Sequence, residues 1–79
     1  MQKWEYLFVV ANYEYGNWRA KYANGTEVLG WERITLYDYA NQIGDEGWEL
    51  VSAPYAVVAP PHSATETIFR LIFKRPKES

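Results

Sequence analysis

The chain has 79 residues, no cysteine, a net charge of −2 and an aromatic content of 18%. It is short enough to form one domain, and without cysteine its stability has to come from apolar burial, a ligand or self-association. Its scattered basic residues argue against a nucleic-acid partner. With no signal peptide and no apolar run near about 20 residues, we expect a cytoplasmic chain without a membrane span.

The first predicted strand covers about residues 3–12. Residues 4–10 are aromatic, aliphatic or β-branched apart from Glu5, and seven residues suit a strand better than a helix. Alternation with period two places these residues on two faces, one with Trp4, Tyr6, Phe8 and Val10 and the other with Glu5, Leu7, Val9 and Ala11. Neither face is cleanly polar.

An excursion over residues 18–33 separates this strand from the helix. After a turn at residues 12–17, residues 18–22 alternate as in a half-exposed strand. Asn24-Gly25 predicts a type I′ hairpin, because both residues tolerate a positive φ at low cost. A short strand over residues 26–29 is expected to return, so that the excursion forms either a long hairpin or an irregular flap.

One amphipathic helix of about three turns is predicted next. Thr35 with Asp38 three residues later resembles a capping box. Gly44 lies in the last turn, where it costs about 0.5–1 kcal/mol relative to alanine, so we expect it to allow a close approach of the helix to the sheet. Gly47 fits the left-handed position that ends a helix.

The remaining strands complete the predicted fold. A third strand covers about residues 48–53 and ends at Pro54, which cannot donate a ladder hydrogen bond. Residues 59–63 are predicted as a loop, and the last strand covers about residues 66–74. The sequence therefore predicts a single α+β domain over residues 1–79, with an antiparallel sheet of four or five strands, one helix packed on one face and the order ββαββ.

Charged residues in the strands suggest which face of the sheet is open. Glu5, Glu49, Arg70 and Lys74 are expected to share the face that meets water. The face under the helix is then predicted to hold Trp4, Tyr6, Phe8, Trp48, Leu50, Phe69, Leu71 and Phe73. The open face keeps an aliphatic patch, the predicted interaction face, which consists of Leu7, Val9, Val51, Ile68 and Ile72. Exposed apolar patches usually mark contact surfaces, although β-branched residues also occur on solvated faces because they favour strands.

Few residues point to catalysis. His62 and Ser63 are neighbours in a predicted loop, where adjacent side chains point apart, so no nucleophile and base pair is predicted. Asp45, Glu46 and Glu49 are divided between a helix end and a strand, which makes a metal or general-acid role a weak hypothesis. No phosphate loop, zinc spacing or triad pattern is present. We expect no enzymatic activity, no catalytic residue, no metal and no cofactor.

The aromatic residues of the excursion support a second hypothesis. Trp18, Tyr22 and Trp31 are candidates for binding a small molecule or a single-stranded nucleic acid, with Arg19 and Lys21 beside them. The competing interpretation is that several of these rings pack together and hold the excursion in place. The net charge of −2 favours the packing interpretation.

Three blocks of the sequence resemble a known family. They are Lys3-Trp4-Glu5-Tyr6, Gly44-Asp45-Glu46-Gly47-Trp48-Glu49-Leu50-Val51 and Arg70-Leu71-Ile72-Phe73-Lys74-Arg75-Pro76. In this order they resemble the short bacterial proteins grouped as domain of unknown function number four thousand one hundred and seventy-seven. The resemblance implies a bacterial or phage origin and a small α+β domain. The family has no assigned activity, so no site residue is carried over, and residues 12–33 are longer and more aromatic than its pattern.

The sequence thus favours a non-enzymatic protein-interaction or self-assembly module that uses the open sheet face. We expect its partner to be a second copy of the chain or another protein, and neither a membrane nor a nucleic acid. The alternative is a small-molecule or single-stranded nucleic-acid binder that uses the 12–33 excursion.

Overall fold

The computed structural model describes residues 1–58 and 66–78, with the backbone alone for residues 55–58 and 66. The predicted loop at residues 59–63, with His62 and Ser63, lies outside the described residues. In chain order the elements are β1 (Trp4–Glu14), β2 (Asn17–Ala23), β3 (Thr26–Glu27), a 3₁₀ helix (Trp31–Arg33), α1 (Leu36–Asp45), β4 (Glu49–Ser52), β5 (Tyr55–Val58) and β6 (Glu66–Pro76).

The described strands form one antiparallel sheet in the order β3-β2-β1-β6-β4, with β5 also paired to β6. β4 and β5 lie end to end along β6, which makes the sheet five strands wide. The break between them falls at Pro54, which has no backbone N–H for the ladder, while its carbonyl accepts a bond from the Arg70 N–H at 2.9 Å. The predicted α+β fold, with one helix and a sheet of four or five strands, is confirmed.

Two tight turns define the first three strands. Tyr15 and Gly16 have φ values of 53° and 78°, and Asn24 and Gly25 have values of 49° and 81°. Positive φ at both central residues is the signature of a type I′ hairpin, so the Asn24-Gly25 prediction is confirmed. The returning strand is shorter than the predicted 26–29, because β3 pairs with β2 only through Thr26 and Glu27. β1 runs to Glu14, beyond the predicted end, because a two-residue turn needs fewer residues than the predicted 12–17 turn.

Both ends of α1 are capped as predicted. The Thr35 hydroxyl accepts a hydrogen bond from the Asp38 N–H at 3.1 Å, which satisfies one free donor of the first turn. At the other end Gly47 has a φ of 94°. The Gly47 N–H donates to the Gly44 carbonyl at 3.0 Å, and the Trp48 N–H donates to the Ile43 carbonyl at 3.1 Å. This pair of bonds is a Schellman motif, which allows β4 to begin immediately after the helix.

The core shows that the predicted faces of β1 are wrong. Val9 is 1% exposed and lies opposite Leu71, and Leu7 lies opposite Phe73 and packs against the core. Leu7 and Val9 therefore face the helix and do not belong to the open face. The alternating residues of β1, Trp4, Tyr6 and Phe8, are exposed instead of buried.

The position of Glu5 explains this difference, because a single charge in an apolar strand predicts the solvated face. It lies opposite Arg75 on the helix side of the sheet, and its carboxylate accepts a bond from the Arg75 Nε. The pair sits beside Glu46, just past the end of α1, since Arg75 Nη1 also donates to the Glu46 carbonyl at 2.9 Å. A charge on the helix side of the sheet is tolerated at this position because α1 has ended and does not cover this part of β1.

The close approach between helix and sheet depends on alanines. Ala11 and Ala20 are opposite each other on β1 and β2, both are fully buried, and they cluster with Leu36 and Ile43 of the helix. A Cβ at Gly44 would meet no described atom within 4 Å, so the expected role of Gly44 in this approach is wrong. The buried hydrophobic cluster consists of Val9, Ala11, Ala20, Leu36, Ile43, Leu71 and Phe73.

Candidate functional site

A row of three aromatic side chains lies on the sheet face opposite α1. Trp4, Tyr6 and Phe8 are 39%, 48% and 55% exposed, and they project from β1 on the side away from Val9. β1 is the central strand of the sheet. We call these three residues the aromatic row, and its place in the middle of the sheet makes it accessible without any movement of the helix.

Neighbouring strands extend the aromatic row into an apolar surface. Phe8 lies opposite Ile72, and Val10 lies between Arg70 of β6 and Tyr22 of β2. Further along, Ile68 lies opposite Asn12. This surface, together with the aromatic row, is called the open face below. It includes the side chains of Trp4, Tyr6, Phe8, Val10, Asn12, Tyr22, Glu49, Ile68, Arg70, Ile72 and Lys74.

The two cations of the open face flank its centre along β6, and Arg70 lies opposite Val10. The Lys74 ammonium is 4.2 Å from the centroid of the Trp4 ring, a cation–π contact, and Lys74 lies directly opposite Glu49 of β4. Arg70 is exposed next to Ile72 on the same strand. Phe8 and Ile72 therefore form the apolar centre of the face, with charged residues on either side along β6.

The predicted interaction face is only partly correct in its membership. Ile68 and Ile72 do lie on the open face, each half-buried. Val51 is exposed in β4, at a bulge that breaks its pairing with β6. Leu7 and Val9 are in the core, as described above, so their assignment to the face is wrong.

A signal in the sequence distinguishes the two faces of β1. Leu7, Val9 and Ala11 are aliphatic and decrease in size toward the point where the helix packs. Trp4 has an indole N–H and Tyr6 a phenolic hydroxyl, so both rings are suited to a surface that is partly wet. Side-chain type, rather than the single charge of Glu5, was the better indicator.

The edges of the sheet are poorly suited to pairing with another strand. β3 is only two residues long, and the 3₁₀ helix packs against β2 on that side of the sheet. On the other side a bulge interrupts β4 between Leu50 and Ser52, and Pro54 separates it from β5. Short strands, bulges and prolines are the devices that prevent edge pairing. The described edges of the sheet are therefore unlike those that add a further strand.

A separate cluster closes the end of the first hairpin. Trp31 is buried, and the Tyr15 ring stacks on it with centroids 6.0 Å apart and planes at 24°. The Lys21 ammonium is 4.8 Å from the Trp31 ring centroid and 2.8 Å from a carboxylate oxygen of Glu14. Lys21 is the extra residue of a bulge in β2. With Arg19, these residues form what we call the hairpin cluster.

The three rings proposed as a ligand platform have different surroundings. Trp18 makes edge-to-face contacts with Phe69 at 4.5 Å and with Tyr13 at 5.5 Å. Trp31 belongs to the hairpin cluster, and Tyr22 lies on the open face. The rings of Trp18 and Trp31 contact other side chains of the chain, as the packing interpretation predicts.

Arg75 joins both ends of the chain to the end of the helix. Besides its bonds to Glu5 and Glu46, its guanidinium lies 4.3 Å from the centroid of the Trp48 ring. A cleft of about 580 Å³ beside it is lined by Glu5, Glu46, Gly47, Arg75, Pro76, Lys77 and Glu78. Because these contacts already engage the guanidinium on several sides, they fit a structural role for Arg75.

Over residues 1–58 and 66–78, no three side chains of His, Cys, Asp or Glu are grouped so that they could hold a metal ion. Asp45, Glu46 and Glu49 are not grouped in this way. No helix in the described part of the chain is long and apolar enough to cross a membrane.

Comparison of the chain with models of protein families, with curated proteins and with solved structures finds no match in any of the three. The resemblance to a bacterial family of unknown function therefore stays a prediction.

Proposed function

We propose that this protein is a non-enzymatic self-association module that binds a second copy of itself through the open face. The observation that supports this proposal is the exposed aromatic row at the centre of the sheet. Tyr and Trp are among the residues most enriched at protein interfaces, and aromatic anchors near the centre of a patch contribute most of the binding energy.

The charges near the row favour a protein partner over a nucleic acid. The face offers two cations, and one of them, Lys74, already contacts the Trp4 ring and lies opposite Glu49. Binding to phosphates needs several free cations, because it is driven by counterion release. The net charge of −2 opposes it further.

The test is the oligomeric state of the chain and of a matched pair of variants in sedimentation equilibrium. Phe8→Lys places a charge at the apolar centre of the open face and is expected to weaken association at least tenfold. Tyr37→Lys makes the same kind of change on the exposed surface of α1 and should leave association unchanged, because Tyr37 is exposed away from the open face. A wild-type chain that stays monomeric at high micromolar concentration would contradict the proposal.

Single-strand binding is the second candidate, now on the aromatic row. Side chains two residues apart on a strand are spaced by about 6.6–6.8 Å, and such rings can stack on successive unpaired bases. Saturable quenching of tryptophan fluorescence by an oligonucleotide, reduced in Tyr6→Ala and weakened by salt, would favour this candidate. No response to oligonucleotides, together with concentration-dependent association, would favour self-association.

A further inference from the structure

The isolated chain exposes more surface than its size requires. Its accessible surface is 5747 Å², whereas a compact monomer of this mass exposes about 4900 Å². Its radius of gyration is 13.7 Å, compared with about 11.5 Å for a compact domain of this length. The excess of about 800 Å² is close to what one partner buries in a standard protein interface.

The core of the single chain is correspondingly small. The buried cluster of the described residues has seven members, and two of them, Ala11 and Ala20, contribute a single methyl group each. A chain of this length without disulfides usually needs an unusually dense core, a metal or an oligomer for its stability. Here much of the aromatic mass lies outside the core, on the open face.

We infer that folding and self-association of this chain are one transition, in which the open face of a second copy supplies the layer that the single chain lacks. This inference rests on the proposed function, since it requires the open face to bind a second copy. The product is a two-fold dimer in which two sheets stack face to face, about 10 Å apart, with each α1 on the outside.

The distribution of side chains fits such a stacked pair. Phe8 and Ile72 lie opposite each other at the apolar centre, where an isologous interface buries the same residues from both copies. Arg70 and Lys74 lie on either side of this centre along β6, and Lys74 lies opposite the exposed Glu49 of β4. The blunted edges of the sheet prevent the alternative, an open-ended array of paired edge strands.

The experiment follows unfolding by urea with circular dichroism over a hundredfold range of wild-type concentration. When dissociation and unfolding are coupled, the midpoint must rise with concentration, because mass action favours the dimer. Sedimentation equilibrium on the same samples should detect a dimer and no folded monomer.

Each outcome distinguishes the two proposals. A dimer whose unfolding midpoint does not depend on concentration, or which dissociates into a folded monomer, would overturn the coupling while leaving the self-association module intact. A folded monomer at every concentration would overturn both.

Two variants on the open face and one control give a second readout. Phe8→Lys and Tyr6→Lys are both expected to lose the sheet signal at concentrations where wild type and Tyr37→Lys remain folded. Phe8 and Tyr6 are half-exposed in the single chain, so their replacement would have little effect on a self-sufficient monomer. Either variant remaining a stably folded monomer would also overturn the inference.

Discussion

At the scale of single residues, Arg19 is the most constrained charged side chain of the described structure. It is 8% exposed, and its guanidinium donates to the carbonyls of Glu14, Tyr15 and Ile34 at 2.8–2.9 Å. These carbonyls belong to the first hairpin and to the segment before α1. One planar group with five donors thus ties together two parts of the chain that are separated in sequence.

Replacing Arg19 by lysine is expected to destabilise the fold by about 1–3 kcal/mol, although the charge is retained. An ammonium group cannot reach three carbonyls that point toward a planar fork, and a buried carbonyl without a donor carries a cost of this size. Chemical denaturation measures the change, with Arg33→Lys as the control, because Arg33 is exposed. Equal stability of Arg19→Lys and wild type would show that only the charge of Arg19 matters.

The Tyr39 hydroxyl gives the fold a dependence on alkaline pH. Burial raises the pKa of Tyr39 above its ordinary value of 10.0, and the carboxylate of Glu46 raises it further by repelling the phenolate. The folded chain therefore keeps its proton at a pH where the unfolded chain has lost it. This contribution to stability is complete below pH 10 and is lost as the pH rises through the pKa of the folded state.

Spectroscopic titration of the phenols near 295 nm tests this expectation. Tyr39→Phe should remove the most alkaline part of the titration and should reduce the loss of stability above pH 10. Tyr37→Phe is the control from the same helix, because Tyr37 is exposed. If the two variants titrate identically, Tyr39 does not have the shifted pKa.

At the scale of elements, the junction between α1 and β4 contains two glycines with different roles. Gly44 has an ordinary helical conformation and open space around it, whereas Gly47 has a φ of 94° and ends the helix. We expect Gly44→Ala to stabilise the protein by about 0.5–1 kcal/mol, because alanine restricts the unfolded chain and favours a helix. Gly47→Ala should destabilise it by roughly 1–2 kcal/mol, because an L-residue is strained in the left-handed region.

Thermal unfolding of both variants provides the comparison. The nearest described atom to a Cβ at Gly47 is the Arg75 Cδ at 4.0 Å. The loss of stability expected for Gly47→Ala therefore comes from the strained backbone and not from a steric clash. Gly47→Asn should recover part of the lost stability, since asparagine tolerates the left-handed conformation better than alanine. A stabilising Gly47→Ala would contradict this account of the junction.

At the scale of the whole molecule, the assignment of the two sheet faces determines what the core is and what is left to bind a partner. Val9→Ala is expected to cost roughly 2 kcal/mol, because it removes two buried methyl groups from the centre of the core. Val51→Ala is the matched change at an exposed strand position and should cost less than about 0.5 kcal/mol. The sequence-based assignment, in which both residues share the open face, predicts similar effects for the two.

Sequence patterns predicted well those features that depend on residues close together in the chain. The Asn24-Gly25 turn, the Thr35 cap and the Gly47 stop are each specified within a few residues, because backbone sterics and local hydrogen bonds decide them. The number of strands and the single helix follow from such local signals. The resemblance to a known family and the absence of enzymatic activity remain predictions.

The open face could not be predicted in the same way, because its membership depends on register. β1 and β6 carry apolar residues on both sides, and shifting a pairing by one residue exchanges the sides. Ile68 and Ile72 were placed correctly because β6 alternates clearly, with Arg70 between them. β1 has no such polar side, so its single charge at Glu5 gave the wrong answer.

The sequence alone thus determined an α+β domain with two glycine turns, one capped helix and more aromatic residues than its core can hold. The tertiary structure decided which of those aromatic residues remain outside. Val9 pairs with Leu71 and the helix packs over Ala11 and Ala20, which leaves Trp4, Tyr6 and Phe8 on the free side of the sheet. The physical reason is that strand pairing and helix placement depend on contacts between residues far apart in the sequence. These contacts are determined by how the side chains pack together in the core, and residues adjacent in the sequence do not specify them.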